Sequence, residues 1–248
     1  MEWNAELYRS KHAFVAEYGK GVVDLVPVDT EQTILDLGCG TGELTKVLAD
    51  KAGKAIGVDG SAAMIELARK SFPEIEFHVR DARALGWSGR FDTVFSNAVF
   101  HWIPEQEELL RSVRDALKAG GKLICEFGAK GNIAKIQAAF VDTLVGFGHS
   151  HRDPFYFPDA DEYRALLERS RFTPDSIAQF DRPTPLVGGE SGLRNWLTQF
   201  YADDLRKLSR EEQEALHRDV ECRLRDELWD GGQWVADYRR IRVVATAG

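Results

Sequence analysis

Short apolar runs and amphipathic stretches take turns through the first half of the chain. "TILDL" (33–37), "KAIGVD" (54–59), "IEFHV" (75–79), "FDTVFSNAVF" (91–100) and "KLICEF" (122–127) have the length and β-branched or aromatic content of strands. Between them the apolar positions fall at helical spacing. Leu44, Val47 and Leu48 share one face of a helix running from Gly42 to about Lys51. A second helix is expected over Ser61 to Ser71. A third has Pro104 in its first turn, where a missing N–H costs nothing, and carries Leu109, Leu110, Val113 and Leu117 until Gly120–Gly121 stops it. Residues 10–26 read as a helix leading into the first strand. Strands alternating with helices of this length predict a parallel, doubly wound α/β sheet.

The beat breaks after Phe127. "GNIAKIQAAFVDTLVGFG" reads as helix and "HSHRDPFYFPDA" as loop. Asp159 and Glu162 stand at capping spacing, as do Ser209 and Glu212, so each pair predicts a helix start. Leu216, Val220, Leu224 and Leu228 continue the second of these helices at i,i+4 intervals. "FTPDSIAQF" (172–180) is a candidate sixth strand, and "WVADYRRIRVVATA" reads as helix, then strand. No repeat or low-complexity linker divides the chain. The expectation is one domain over 1–248: a helical N-terminal segment (1–29), a ligand-binding core (30–127) and a C-terminal part (128–248) whose helices shape a second site.

Composition narrows the function. With 40 acidic against 32 basic side chains the net charge is −8, which disfavours nucleic acid as a partner. No run of about 18 apolar residues predicts a membrane span, and "MEWNAELYRS" lacks a signal-peptide pattern. Cys39, Cys125 and Cys222 are odd in number and far apart, which argues against disulfides and for a reducing cytoplasm. No CxxC or HExxH spacing appears, and no metal site is expected. His149, His151 and Arg152 fall on one loop, with solvated loop, pocket lining and metal ligation as their alternatives.

The chemistry concentrates in "ILDLGCGTGELTKVLA" (34–49), a strand, a glycine turn and a helix start. Glycines permit close backbone approach, and the helix N-terminus offers unpaired N–H groups, so the turn suits a nucleotide-like ligand. Two familiar ligands fit poorly. Glu43 stands where a dinucleotide fingerprint has its third glycine, and no Gly-Lys-Ser/Thr follows as a phosphate loop would require. Asp36 at the strand end, joined by Glu43, would repel a pyrophosphate and attract a cation-bearing nucleoside. Asp59 ends the second strand, where a carboxylate can take both ribose hydroxyls. Asp81 follows the third strand at the same rim and could accept from an adenine amino group. S-adenosylmethionine carries a ribose, an ammonium and a sulfonium. NAD-linked oxidoreduction is the rival from another class, and a binding module without catalysis is a third.

Taken in order, "ILDLGCGTG", "GVDGSAAMI", "RDA" and "FDTVFSNAVFHW" resemble the motif set of class I S-adenosylmethionine-dependent methyltransferases over about residues 30–127. The resemblance implies a Rossmann-like sheet of seven strands, the last antiparallel, with added helices forming a lid over the acceptor site. It assigns Asp36, Gly38 and Gly40 to the methionine end, Asp59 to the ribose, and Asp81 with Ala82 to the adenine, with Met64 near the adenine face. Thr41, Gly60 and Asn97 complete this cofactor set.

A methyl acceptor is sought just past the fourth strand, in "SNAVFHWIP" (96–104). His101 can donate to an anionic oxygen or act as a base if neutral, and Trp102 offers a large face with one N–H. This candidate catalytic pair suits a planar carboxylate. "WNAELY" together with "NAVFHWIP" resembles the trans-aconitate methyltransferases, with His101 standing where that pattern usually has glutamine. That likeness implies a small carboxylic acid as acceptor, and places Trp3, Tyr8 and His12 on a lid-like segment over the cofactor. Methylation of a nitrogen, carbon or hydroxyl of a natural product is the alternative. Arg182 and Arg194 are candidates to pair an acidic acceptor.

Overall fold

The computed structural model describes residue 19 and residues 21–248, so Trp3, Tyr8, His12 and most of the helix expected over 10–26 lie outside the described residues. Among the described residues the chain forms two compact units.

The first unit joins residues 19–129, Phe155–Gln179 and Ile241–Gly248. It opens with β1 (Thr33–Leu37), α1 (Glu43–Ala52), β2 (Lys54–Asp59), α2 (Ala62–Ser71), β3 (Glu76–Val79), β4 (Phe91–Asn97), α3 (Gln106–Ala116) and β5 (Leu117–Gly128). Later it takes in α5 (Ala160–Arg169), β6 (Phe172–Asp181) and β9 (Arg239–Ala247). The seven strands run in the order β3-β2-β1-β4-β5-β9-β6, and the last one in sequence is antiparallel. β1 pairs in parallel with both β2 and β4, so the chain's winding direction reverses between β1 and β4. Such a switch point opens a crevice at the carboxyl ends of the strands.

Side-chain alternation builds the three layers. On β1, Ile34 joins Val22, Val26, Leu48 and Phe95 in one core cluster. Leu35 and Leu37 join Val94, Leu109, Val113 and Leu166 in the other. Asp36 therefore shares the α1 face of the sheet with Ile34, by the two-residue period of a strand. Pro174 sits in β6, at the sheet's edge, where a missing ladder donor is tolerated.

The second unit joins Lys130–Pro154 and Phe180–Arg240. It holds α4 (Ala134–Gly146), the short pair β7 (Thr184–Pro185) and β8 (Val235–Ala236), α6 (Gly192–Phe200), α7 (Ala202–Leu205) and α8 (Arg210–Leu228). Phe140 of α4 stacks on Tyr201 at 4.1 Å between ring centroids, and the Trp196 indole donates to the Tyr238 hydroxyl at 2.7 Å.

Both capping pairs form as expected. Asp159 accepts from the Glu162 N–H, and Ser209 and Glu212 make a full capping box. Four expectations are corrected. Pro104 lies ahead of α3, which starts after Glu105. Gly120–Gly121 do not end a helix but lie inside β5. There Phe91 pairs Leu117 while Thr93 already pairs Lys122, and Gly120 at φ +73° absorbs the surplus residues in a bulge. β4 stops at Asn97 rather than running to Phe100, because Ala98 takes the left-handed conformation, φ +61°. Residues 234–247 form strands and no helix: Val235–Ala236 pairs with β7, and the β-branched run of Arg239–Ala247 completes the seven-stranded sheet.

Ser209→Ala removes the side-chain half of the capping box, the Ser209 hydroxyl that accepts from the Glu212 N–H, and leaves the backbone half. It is expected to cost about 1 kcal/mol, read as a fall of roughly 2–4 °C in melting temperature by calorimetry.

Candidate active site

At the carboxyl end of β1 the chain turns through three left-handed glycines, Gly38, Gly40 and Gly42, with φ of +76°, +54° and +91°. Two of them are also closely packed. A Cβ on Gly38 would collide with the Val99 side chain, and one on Gly42 would come within 2.8 Å of the Phe77 ring. Gly40 is different: a Cβ there would meet nothing within 4 Å, so its backbone faces open space. The turn is tied to β2, since the Gly38 and Cys39 N–H groups both donate to the Val58 carbonyl.

Asp59 closes the arrangement from β2. Its carboxylate accepts from the Gly40 N–H at 3.0 Å and from the Ser61 N–H at 2.8 Å. Burial raises its pKa, and those two N–H groups partly offset the rise. Gly60 beside it has open space where a side chain would stand.

Asp36 is only 2 % exposed and accepts from the Thr45 hydroxyl of α1 at 2.6 Å. Burial pushes its carboxyl up to about 7; Thr45 opposes the shift, and Asp59 and Glu43 add to it. This corrects the picture of an open acidic mouth, because Asp36 lies beneath the turn and its charge is set by pH near neutrality. Glu43 instead accepts from the Thr41 hydroxyl at 2.6 Å. Cys39 is held well above the ordinary thiol range, by burial first and then by Asp36 and Asp59, which suits a turn residue and not a nucleophile.

On the adenine side of the expected set, Met64 is buried in α2. Asp81 caps a short turn, Ala82–Ala84, and is gripped by the Arg83 guanidinium at 2.7 Å; Arg83 also reaches Glu105 at 3.1 Å. A ligand amino group there would compete with Arg83, which the sequence reading did not foresee. Asn97 ends β4 half-buried, and Gly19 lies against it and against Leu44.

His101 is buried in a short turn, Phe100–Trp102, past β4. Its Nδ1 accepts from the Gly128 N–H of β5 at 3.2 Å. A backbone N–H can only donate, so the neutral ring carries its hydrogen on Nε2. With that tautomer Nε2 presents a hydrogen-bond donor, which suits the first of the two roles expected for His101. Around it stand Trp102, Phe157 and Phe155, at ring-centroid distances of 5.4, 5.8 and 6.2 Å. The two phenylalanines went unrecognised in the sequence, although "FYF" carried the signal. In an extended segment Phe155 and Phe157 share a side while Tyr156 turns away, its hydroxyl donating to Glu162 at 2.9 Å.

Three further candidates have structural partners. His151 pairs with Asp204 at 2.7 Å, and no cluster of three metal-ligand side chains occurs among the described residues. Arg194 bonds Glu221 and Glu214, and the Arg182 guanidinium lies 5.1 Å above the Phe180 ring.

A doubly wound sheet with a glycine turn at its switch point and a carboxylate on each of the first two strands is the architecture of a nucleotide-binding α/β domain. A family model described as a methyltransferase domain matches residues 34–121. A trans-aconitate 2-methyltransferase of Deinococcus radiodurans is 34 % identical over 209 residues, 79 % of each chain. An uncharacterized methyltransferase of Schizosaccharomyces pombe is 28 % identical over 98 % of this chain and 97 % of its own. The crystal structure of geranyl diphosphate C-methyltransferase from Streptomyces coelicolor A3(2), with Mg2+, geranyl diphosphate and S-adenosyl-L-homocysteine, shares the fold. Its TM-score is 0.59 at 16 % identity, over 96 % of this chain and 82 % of that one. The chain belongs to the class I S-adenosylmethionine-dependent methyltransferases.

Two outcomes follow from the geometry. Gly38→Ala is expected to destabilise the fold by about 2–4 kcal/mol, from the clash with Val99 and the left-handed backbone. Gly40→Ala costs about 1 kcal/mol in stability, and its main effect is weaker cofactor binding; thermal melts with and without S-adenosylhomocysteine separate the two. Asp36, raised in the folded chain, favours folding most below its ordinary value and loses that contribution as pH climbs through about 7. A cation-bearing cofactor prefers the ionised form. Calorimetric affinity for S-adenosylmethionine is therefore expected to rise between pH 6 and 8, by at most about tenfold per unit, and Asp36→Asn to flatten the rise.

Proposed function

We propose that this methyltransferase esterifies a carboxylate oxygen of a small acid. The observation that carries the reading is the Gly128 N–H on His101 Nδ1. A hydroxyl or amine acceptor that starts protonated calls for a base, and a carboxylate calls only for a donor to hold it. The likeness to a trans-aconitate methyltransferase supports an acid in this role.

The residues present fit the cofactor. Open space lies over Gly40 and Gly60, and the carboxylates of Asp36 and Asp59 are acceptors suited to an ammonium and to ribose hydroxyls. In this reading Asp36, Gly38, Gly40 and Thr41 hold the methionine end, Asp59 and Gly60 the ribose, and Met64, Asp81 and Ala82 the adenine. Asn97 lies between cofactor and acceptor in this reading. When bound, S-adenosylmethionine supplies a methyl carbon on a sulfonium, which a carboxylate lone pair can take without any proton changing hands. His101 orients the acid through its Nε2 hydrogen, and Trp102, Phe155 and Phe157 exclude water around it. Orientation of this kind is worth roughly 7–11 kcal/mol of barrier when complete. A cytoplasmic setting belongs to the same reading, supported by the free thiols of Cys39, Cys125 and Cys222.

His101→Ala is expected to lower kcat/KM roughly 10–100-fold while the S-adenosylhomocysteine dissociation constant stays within about twofold. His101→Gln restores a donor and is expected to recover most of the loss. Mass spectrometry across a panel of small acids tests the reading directly: an alkali-labile methyl adduct supports an ester, and an alkali-stable one overturns it.

A further inference from the structure

We infer that Gln106 is a positioning residue for methyl transfer: its buried amide holds the turn that carries His101, and so fixes which nitrogen of that ring bears the hydrogen. The inference rests on the role given to His101 above and adds the group that keeps it in place.

The first support is the bonding. Gln106 opens α3 and is only 4 % exposed. Its Nε2 donates to the Phe100 carbonyl at 2.8 Å and to the Ile103 carbonyl at 2.5 Å, one on each side of His101 in the chain. Both amide hydrogens are thereby used. The reversed amide would set Oε1 against two carbonyl oxygens, so only this orientation suits the site. The His101 carbonyl, between the two, accepts from the Tyr156 N–H at 2.9 Å. The turn itself spans three residues, Phe100–Trp102, and a helical turn this short is not stable by itself. Bonds from outside hold it.

The ring's own bond is the second support. The Gly128 N–H meets His101 Nδ1 at 3.2 Å, the long end of the hydrogen-bond range. A slide of the turn by roughly 0.5 Å takes it out of reach, and the hydrogen can then sit on either nitrogen.

The third support is a cost. Gln106 Oε1 is buried with no hydrogen-bond partner among the described residues, which an apolar side chain of the same size would avoid. Such a side chain could not tie the two carbonyls.

The test compares four forms of the full chain: wild type, Gln106→Met, His101→Ala and the double variant. Gln106→Met is expected to lower kcat/KM roughly tenfold, chiefly through kcat. In the His101→Ala background the same change is expected to cost less than about twofold, and the S-adenosylhomocysteine dissociation constant to stay within about twofold throughout. Nitrogen NMR of the imidazole is expected to show the Nε2–H tautomer in wild type and a mixture in Gln106→Met. An equal loss in both backgrounds, or an unchanged tautomer, overturns the inference. Gln106→Glu adds a pH profile. A carboxyl donates only while protonated, so kcat/KM of this variant relative to wild type is expected to fall as pH rises from about 5 to about 8; a flat ratio overturns the inference. Wild type alone supplies a further reading should the variants fail to fold. The Gln106 side-chain amide protons are expected to exchange with solvent about 100-fold or more slower than those of an exposed glutamine, and exchange at the exposed rate overturns the inference. Failure of the carboxylate reading looks different: an alkali-stable methyl adduct, with the tautomer and exchange results intact.

Discussion

Val99 lies so close over Gly38 that no side chain fits between them, and the two halves of the site are joined by that contact. Gly38 begins the turn beneath the cofactor side, and Val99 begins the segment that carries His101. The contact demands a glycine on one strand end and a sharp backbone reversal on the other. Ala98 provides the reversal in a left-handed conformation that costs an alanine about 1–2 kcal/mol. Strain of this kind persists where surrounding structure over-determines it. Here the Ala98 N–H is held by the Glu126 carbonyl at 2.7 Å, so β5 fixes the reversal from the other side.

The same strand ends set the electrostatics. Asp36 is a buried carboxylate held by the Thr45 hydroxyl, Asp59 a half-buried one held by two backbone N–H groups, and desolvation raises the pKa of both. Their unfavourable burial is the sort of standing cost that a complementary cation relieves, and a ligand that relieves it binds N and not U. The turn therefore works less by presenting a charged mouth than by keeping one partly neutral carboxyl in reserve beneath the backbone.

How much of this was legible in the sequence follows from which forces decided each element. The alternating first half was readable because each strand or helix satisfies its own period: "KAIGVD" is β2 as read, and Ser61 caps the helix after it. The glycine turn was readable because left-handed backbone has few substitutes for glycine. The strand that ends the chain was readable, but the start of "WVADYRRIRVVATA", expected as helix, was misread because only pairing with Thr184–Pro185 makes it a strand. The burial of Asp36 was invisible for a similar reason: strand parity gave its face, but Thr45 and the covering turn come from packing. Phe155 and Phe157 lay in a segment dismissed as loop, where alternation marks a site only once the partner is known to be His101.

Cys222 has a practical bearing of its own. It is the exposed thiol on α8, while Cys39 and Cys125 are buried and their protons are held tightly. A maleimide fluorophore would therefore attach at α8 in the native chain. The natural sequence thus comes with a ready handle for following binding by fluorescence.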